Sequence, residues 1–360
     1  MNKQHTLIFI AVTMLVANVY GSYLQVKLLS AHSMFDKTRD VVVEVQYNNP
    51  SNDTISIYKW CLPSNELNDP LFKVTCNNAP VNYIGPLIKR REPTIEDMIS
   101  LEAGKTKIIQ ARLSSAYDMT KTGIYSIQYD IPAERVVFKH ARTFESTLVR
   151  VINKRQSGLQ SNNIELTIEG RPNRQREQSE NMKVVRRAAT LSYVSCSTSQ
   201  KFQITTAVSW ALKYADNSFN YLNKTKPRGT NRYKTWFGRF MLNNWNTQKI
   251  HFRNIKNALS SKRITFDCGC NELSFYAYVY RDQPYIIHLC PLFWSTPMTG
   301  TDSKAGTLIH EASHFSVVVG TSDHAYGQMA SISLALNTPS KAIMNGDSHE
   351  YFAENLPVLL

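Results

Sequence analysis

The stretch Thr307-Leu-Ile-His-Glu-Ala-Ser-His-Phe315 decides the fold of the second half of this 360-residue chain, because it contains the pattern HExxH. The spacing predicts a helix on which His310 and His314 share one face about one turn apart. Two imidazoles so arranged can bind one Zn²⁺ ion. Glu311 stands beside the first histidine and can move a proton between water and a leaving amine.

The apolar neighbours of the motif favour a metal site over its alternative, a helix with hydrogen-bonded core histidines. Leu308 and Ile309 predict a buried helix. Two histidines and a glutamate would be costly there without a partner, and a metal ion supplies one. HExxH also arises by chance, so its surroundings carry the argument.

A catalytic zinc site needs a third protein ligand and an open position for water. Val317 and Gly320 stand where the metzincin pattern requires Gly and His, which excludes that pattern. Asp323 is the nearest carboxylate, and Gly320 can end the helix so that the chain folds back to the metal. The other donors that stay open as third ligands are Glu350, Glu354 and His324.

Residues 188–360 are predicted as a mostly helical α+β region. Ser197 or Thr198 can cap a first helix that reaches Leu222. Further helices are predicted over 232–241, over 247–259 and from 304 onward, and strands over 264–266, 275–280 and 286–289.

Residues 22–151 show short alternating apolar and polar runs separated by turn residues. The clearest runs are 24–28, 41–47, 55–60, 108–113 and 125–129. This spacing predicts an antiparallel β-sandwich. We see no catalytic pattern in it.

The first 21 residues are predicted to be a secretory signal peptide. Leu7 to Val16 is an apolar run too short to cross a bilayer core of about 30 Å, and small residues follow it. The alternative is an uncleaved anchor. No later stretch predicts a transmembrane helix, so we expect no stable membrane insertion.

Residues 152–187 are predicted to be a basic linker, rich in Gly, Ser, Asn, Gln and Arg. Arg186-Arg187 is a dibasic pair before small residues and predicts proteolytic cleavage after Arg187. The alternative is an uncut flexible linker. The net charge of +13 is divided evenly, since 22–187 and 188–360 each carry +6. Because no basic stripe concentrates it, a nucleic-acid partner is not expected.

The second half of the chain resembles a known family. HExxH followed by Gly320-Thr-Ser-Asp-His-Ala-Tyr-Gly327 resembles the signature of the deuterolysin-type (aspzincin) metalloendopeptidases. Other segments look like the peptidyl-Lys metalloendopeptidase branch: 275–280, 289–294, 299–306 and 345–355. The resemblance covers essentially 188–360 and implies a zincin-like protease domain. The predicted sandwich, including Tyr83-Ile-Gly-Pro-Leu-Ile-Lys-Arg90, is similar to a domain that accompanies many such proteases.

The resemblance implies a role for each motif residue. His310, His314 and Asp323 would bind a single zinc ion, and Glu311 would be the general base. Tyr326 would donate a hydrogen bond to the oxyanion; the alternative is a core tyrosine.

Asp347 and Glu350 would line a pocket for a lysine side chain just after the scissile bond. Residues at i and i+3 share one helical face, and a lysine ammonium has three donors. The alternative is a solvated acidic turn. Gly346 departs from the branch, where alanine is expected, and so leaves the strictness of a lysine preference open.

The six cysteines fit a secreted chain. The resemblance suggests the disulfides Cys196–Cys268 and Cys270–Cys290, with Cys61 and Cys76 pairing within the sandwich. The alternative is a cysteine-rich zinc site.

Together these features predict a monomeric, secreted, zinc-dependent endopeptidase that cleaves proteins or peptides before lysine. Its N-terminal domain is expected to be a propeptide, or else a retained adhesion or substrate-binding module. The competing class is a catalytically inactive zinc-binding protein or a toxin-like binding module.

Overall fold

A computed structural model of the protein describes residues 24–64, 66–132, 135, 139–140, 158–172 and 191–359. The predicted signal peptide and the predicted cleavage after Arg187 lie outside the described residues. Strands and helices both occur, with strands in the first half and most helices in the second, so the α+β class is confirmed.

Strands dominate the first half. They are β1 Gln25–Leu29, β2 Met34–Phe35, β3 Val42–Asn48, β4 Ile55–Tyr58, β5 Phe72–Cys76, β6 Ala79–Pro80, β7 Pro86–Arg90, β8 Met98–Leu101, β9 Thr106–Arg112, β10 Gly123–Ile131, β11 Lys139–His140 and β12 Leu159–Ile168. Short 3-10 helices lie at Lys59–Cys61, Ile95–Asp97 and Leu113–Ser115.

Three sheets form in the described part of this half. Their strand orders are β1-β3-β9, β2-β12-β10-β5-β6 and β11-β4-β8. Neighbours are antiparallel except β2 and β12. Buried and partly exposed residues alternate along β3 and β10, as the sequence predicts, and the buried ones join one apolar core.

The expected disulfide between Cys61 and Cys76 is not formed, and both thiols are buried and unpaired. The Sγ of Cys61 donates to the backbone carbonyl of Arg135 at 3.4 Å. The Sγ of Cys76 instead lies against Gly123 of β10, within 2.8 Å of where a Cβ would stand. The two side chains therefore have different partners, although both are buried in the same apolar core.

Four strands and most helices form the second half. The strands are β13 Leu191–Val194, β14 Ile264–Asp267, β15 Phe275–Tyr280 and β16 Ile286–Leu289. The helices are α1 Thr198–Lys224, α2 Asn231–Phe237, α3 Leu242–Ser261, α4 Pro291–Ser295, α5 Lys304–His314, α6 Gln328–Asn337, α7 Pro339–Ala342 and α8 Gly346–Glu354.

The helix boundaries follow from capping and glycine. Ser197 caps α1 by accepting a hydrogen bond from the backbone N–H of Gln200. Helix α2 ends at residue 237 and not at 241, because Gly238 adopts a positive φ of 80° against the carbonyl of Ala335. Helix α3 then begins at residue 242, five residues before the predicted start.

Both disulfides expected near α1 are present in the structure. Cys196 is bonded to Cys268, and Cys270 is bonded to Cys290. They tie the segment before α1, the chain after β14 and the start of α4 to one another.

The sheet of the second half has the order β13-β14-β16-β15-β7, so its edge strand comes from the first half of the chain. Strand β7 runs antiparallel to β15, and Lys89 stands opposite Ala277. No pattern in the sequence predicts this pairing. It places Pro86–Arg90 directly beside the helix that carries HExxH.

Candidate active site

The motif helix α5 is buried along its whole length. Ser303 caps it by accepting a hydrogen bond from the backbone N–H of Gly306 at 2.9 Å. Leu308 and Ile309 pack into the apolar core of the second half. The opposite face presents His310, Glu311 and His314 to the interior of the site.

Three donor atoms converge as a metal site requires. The Nε2 atoms of His310 and His314 lie 3.2 and 3.3 Å from Oδ1 of Asp323. Among the described residues, none of these three buried atoms has a hydrogen bond of good geometry. Unpartnered buried polar atoms are costly, and a shared cation would satisfy all three. The group therefore fits a metal ion bound by two imidazoles and one carboxylate.

The chain reversal after α5 brings Asp323 back to the histidines. Gly320 adopts a positive φ of 78°, which favours glycine. The Arg281 guanidinium donates to the backbone carbonyls of Gly320 and Thr321 at 2.6 and 2.7 Å. The loop is therefore held by a partly buried cation.

Thr321 orients the second histidine of the motif. Nδ1 of His314 lies 2.9 Å from the Thr321 hydroxyl and 3.2 Å from its backbone carbonyl oxygen. These contacts favour the tautomer of His314 that carries its proton on Nδ1 and donates it to the Thr321 oxygens. In that tautomer, Nε2 is unprotonated and its lone pair faces Asp323.

The site favours an ionised Asp323 and a protonated Glu311. Burial opposes the charge of Asp323, but His314 and His310 outweigh it and hold the pKa of Asp323 well below its usual range. Burial raises the pKa of Glu311 well above its usual range. A bound cation would lower the pKa of Glu311 again, because opposite charge favours the carboxylate.

The other candidate ligands have other partners. Glu354 accepts hydrogen bonds from the backbone N–H and hydroxyl of Ser303 at 2.9 and 2.7 Å. The backbone N–H of His324 donates to Asn345, and His324 is not in the donor group. Glu350 lies on the far side of His310, with Oε2 3.5 Å from Nδ1.

Tyr326 is buried beside strand β7. Its phenol oxygen accepts a hydrogen bond from the Arg90 guanidinium at 2.7 Å, and its ring packs edge-on against Trp60. Burial raises the pKa of Tyr326 well above its usual range, so the phenol keeps its proton. A neutral phenol remains a hydrogen-bond donor.

A pocket beside the donor group holds the side chain of Lys89. Its Nζ lies 2.9 Å from each of three carboxylates, those of Asp302, Asp347 and Glu350. Lys89 is 0% exposed. Asp347 and Glu350 share one face of α8, as the i, i+3 spacing predicts. They are buried, so they do not form a solvated turn.

Asp302 is the pocket residue that the sequence analysis missed. It stands two residues before α5, and the Tyr351 hydroxyl donates to its Oδ1 at 2.8 Å. Its only sequence signal is its position within 299–306, one of the segments that carry the family resemblance.

Electrostatics keep the lysine charged in this pocket. Burial lowers the pKa of Lys89, but Asp347 and Glu350 outweigh burial and hold that pKa well above its usual range. Burial alone would drive a lysine toward its neutral form. The pocket therefore fits a positively charged group at the end of a long, flexible side chain.

Gly346 begins α8 against the first motif histidine. A Cβ at this position would lie 2.7 Å from Cε1 of the His310 ring. Nδ1 of His310 is 2.8 Å from Oδ1 of Asp347 in the same turn. The glycine thus allows a close approach between α8 and the candidate metal ligand.

No helix among the described residues is long and apolar enough to cross a membrane. An HExxH helix, a returning aspartate and an acidic pocket define the site of a metal-dependent peptide hydrolase. The family model described as lysine-specific metallo-endopeptidase matches residues 221–354.

The chain is 39% identical over 350 residues to an extracellular protease of Aeromonas hydrophila, covering 96% of this chain and 97% of that one. It therefore belongs to the aspzincin family of lysine-specific metalloendopeptidases. It is a metalloendopeptidase, its substrates are proteins or peptides, and the family implies a metal, normally zinc.

Two further relatives each match a little under half of this chain. A peptidyl-Lys metalloendopeptidase of Pleurotus ostreatus is 47% identical over 169 residues, which is 47% of this chain and 99% of that one. The solved zinc peptidase from Grifola frondosa is 44% identical, with a TM-score of 0.44 over 46% of this chain and 100% of that one.

Proposed function

We propose that the protein is a secreted zinc endopeptidase that hydrolyses the peptide bond on the N-terminal side of lysine. One observation carries this proposal. A lysine side chain is bound by three carboxylates immediately beside the candidate metal ligands. The pocket adjoins the donor group, because Oδ1 of Asp347 lies 2.8 Å from Nδ1 of His310, so a residue in the pocket presents its backbone near the metal position.

His310, His314 and Asp323 would hold one zinc ion per chain. When bound, Zn²⁺ lowers the pKa of water and polarises a carbonyl. Glu311 follows the first ligand on α5, and both its carboxylate oxygens lack a protein hydrogen-bond partner among the described residues. It is free to accept a proton from water and to pass it to the amine of the leaving lysine residue.

Tyr326 would donate a hydrogen bond from its phenol to the carbonyl oxygen as negative charge develops there. The raised pKa supports this role, because a neutral phenol donates where a phenolate could not. Asp347, Glu350 and Asp302 would bind the lysine ammonium of the substrate. A neutral side chain of similar length would leave these carboxylates without a cation.

The domain organisation is part of the same proposal. Residues 1–21 act as a signal peptide, residues 22–151 together with strand β12 form a β-sandwich that serves as a propeptide, and cleavage after Arg187 releases a monomeric enzyme of residues 188–360. Strand β12 lies within the segment 152–187, so the prediction of a linker over that whole segment is wrong. The antiparallel sheets of the first half and the full-length match to an extracellular protease support this organisation. N-terminal sequencing of the secreted protein tests it, and a sole start at Ser22 would contradict the removal of the propeptide.

A digest tests the activity and the specificity together. The zinc-loaded protein is incubated with a protein mixture, and the new N-termini are identified by mass spectrometry. We expect a strong excess of N-terminal lysine and no cleavage with Glu311→Gln. Cleavage without a lysine bias would remove the specificity proposal. Zinc binding without any cleavage would favour an inactive zinc-binding protein.

A further inference from the structure

We propose that Asp347 is a positioning residue of the metal centre as well as a carboxylate of the lysine pocket. It holds the imidazole of His310 in the tautomer that can bind a metal ion, and it fixes the turn after Tyr326. This inference deepens the proposed function and rests on it, because it adds a role within the same site. Three contacts of Asp347 carry it: those with His310, Gly327 and Lys89.

The first contact decides which nitrogen of His310 carries a proton. Nδ1 of His310 lies 2.8 Å from Oδ1 of Asp347 and 3.5 Å from Oε2 of Glu350. Neither contact has the alignment of a good hydrogen bond, so the attraction is mainly electrostatic. Carboxylates favour an N–H group over a lone pair, and Nδ1 therefore keeps the proton. Nε2, which lies 3.2 Å from Asp323, then directs its lone pair at the metal position.

Gly346 makes the short approach of Asp347 possible. A Cβ at Gly346 would lie 2.7 Å from Cε1 of His310, so the first turn of α8 lies directly against the imidazole ring. Asp347 is the next residue and belongs to that turn. Glu350 comes three residues later and stays farther from Nδ1. Of the two carboxylates, Asp347 is therefore the one placed to orient the ring.

The second contact reaches the loop that carries the proposed oxyanion donor. Oδ2 of Asp347 accepts a hydrogen bond from the backbone N–H of Gly327 at 2.7 Å. Gly327 adopts a positive φ of 84° directly before α6, a conformation that favours glycine. Because Tyr326 precedes Gly327, this hydrogen bond fixes the backbone from which the phenol projects.

Asn345 holds the middle of the same loop. Its Oδ1 accepts hydrogen bonds from the backbone N–H groups of His324 and Ala325 at 2.9 and 3.1 Å. The loop is therefore attached to the start of α8 at several points. Asp347 also joins this assembly to the HExxH helix, through its contact with His310.

The third contact makes the lysine pocket and the metal centre share one oxygen atom. Oδ1 of Asp347 lies 2.9 Å from Nζ of Lys89 and 2.8 Å from Nδ1 of His310. An ammonium in the pocket therefore draws on the same negative charge that stabilises the imidazole N–H. Loss of Asp347 should change metal binding and lysine recognition together.

The substitution Asp347→Asn keeps the shape of the side chain but not its acceptors. Both oxygens of Asp347 receive donors, and an asparagine has only one oxygen. If that oxygen faces Gly327, its NH₂ group meets Nδ1 of His310, which favours the tautomer protonated on Nε2. Glu350→Gln brings no such conflict, because among the described residues neither oxygen of Glu350 has a hydrogen bond of good geometry.

Zinc affinity in the full-length protein tests the inference. Asp347→Asn and Glu350→Gln are compared in the Glu311→Gln background, which prevents self-digestion, and zinc is competed with a chromophoric chelator. Glu350→Gln is the matched control, since it also removes a buried carboxylate 2.9 Å from Nζ of Lys89. We expect Asp347→Asn to bind zinc at least about 10-fold more weakly than Glu350→Gln, because losing such a partner of a metal-binding histidine costs about 10- to 100-fold.

The visible spectrum of the cobalt-loaded proteins is a second readout, because it follows the ligand geometry around the metal. We expect it to shift in Asp347→Asn and to stay unchanged in Glu350→Gln. Asp347→Ala, in which water can take the vacated space, is a second variant and should weaken zinc binding in the same way. Thermal unfolding of the metal-free proteins identifies any variant that does not fold.

Zinc affinities of the folded Asp347 variants equal to that of Glu350→Gln would overturn the inference. Failure of both Asp347 variants to fold would overturn it as well, since Asp347 would then serve the stability of the fold. Neither metal readout depends on catalysis, which separates the inference from the proposed function. If zinc affinity falls as expected and no preparation with intact Glu311 cleaves before lysine, the proposed function fails while the positioning role stands.

Discussion

Replacing Glu350 by glutamine removes one of three negative charges around the lysine ammonium and changes little in shape. The carboxylate is buried and its Oε2 lies 2.9 Å from Nζ of Lys89, which occupies the proposed substrate pocket. At an effective dielectric constant of about 20, two unit charges at this distance attract by about 6 kcal/mol. Desolvation of both groups cancels much of that attraction.

The net effect is therefore smaller than the Coulomb energy. Truncating one member of a buried charge pair costs about 2–5 kcal/mol, and Glu350→Gln keeps the size and leaves two other carboxylates. We expect a loss of about 2–3 kcal/mol in transition-state binding of lysine substrates. That corresponds to a drop of about 30- to 150-fold in kcat/KM.

The assay compares two peptides that differ only in lysine or methionine after the scissile bond. The active preparation of each variant is used, and the ratio of the two kcat/KM values is the readout. The ratio should fall in Glu350→Gln and stay constant in Glu272→Gln, an exposed glutamate before β15. Equal loss on both peptides would refute the reasoning, because it would show general damage to the site and not the loss of charge recognition.

Other consequences of the structure can be measured in the same way. Asp302→Asn should lower the lysine-to-methionine ratio by about 1–2 kcal/mol, less than Glu350→Gln, since its side chain is 24% exposed; an unchanged ratio would exclude it from the pocket. Thr321→Val should weaken zinc binding about 10-fold in a chelator competition, because Nδ1 of His314 loses a hydroxyl at 2.9 Å; Thr206→Val on α1 is the control, and equal zinc affinity of the two would contradict the role. Nδ1 of His251 lies 3.0 Å from Nε2 of His349. Burial lowers the pKa of His251 to about 4. The unfolded chain therefore binds more protons between about pH 6.5 and 4, so this group should remove about 3 kcal/mol from the free energy of unfolding as the pH falls through that range. His251→Gln should flatten this loss in denaturant titrations, whereas the exposed His32→Gln should not; parallel pH profiles would disprove the assignment.

Local sequence patterns predicted most of the residues that form the candidate site. The period of α5 placed His310 and His314 together, and Gly320 indicated a chain reversal that brings Asp323 near them. The i, i+3 spacing put Asp347 and Glu350 on one face. Each of these relations acts over a few residues or one turn, where backbone geometry decides the outcome.

Long-range pairing could not be predicted in this way. Strands β7 and β15 are separated by slightly more than half the chain. An alternating pattern of apolar and polar residues predicts that a segment is extended, but it does not identify the strand with which the segment pairs. For the same reason, the buried positions of Cys61 and Cys76 did not reveal that each thiol faces another neighbour. Asp302 was missed because it enters the pocket from a loop, where no periodicity indicates the direction of a side chain.

The position of β7 also has a consequence for the solubility of any variant that lacks the first half of the chain. Removing the first half would uncover the outer edge of β15, Phe275-Tyr-Ala-Tyr-Val-Tyr280, a run of aromatic and apolar residues without a charge. Such an uncovered edge is a template for pairing between chains. While the first half is present, β7 pairs with that edge, so the edge is not open to pairing between chains.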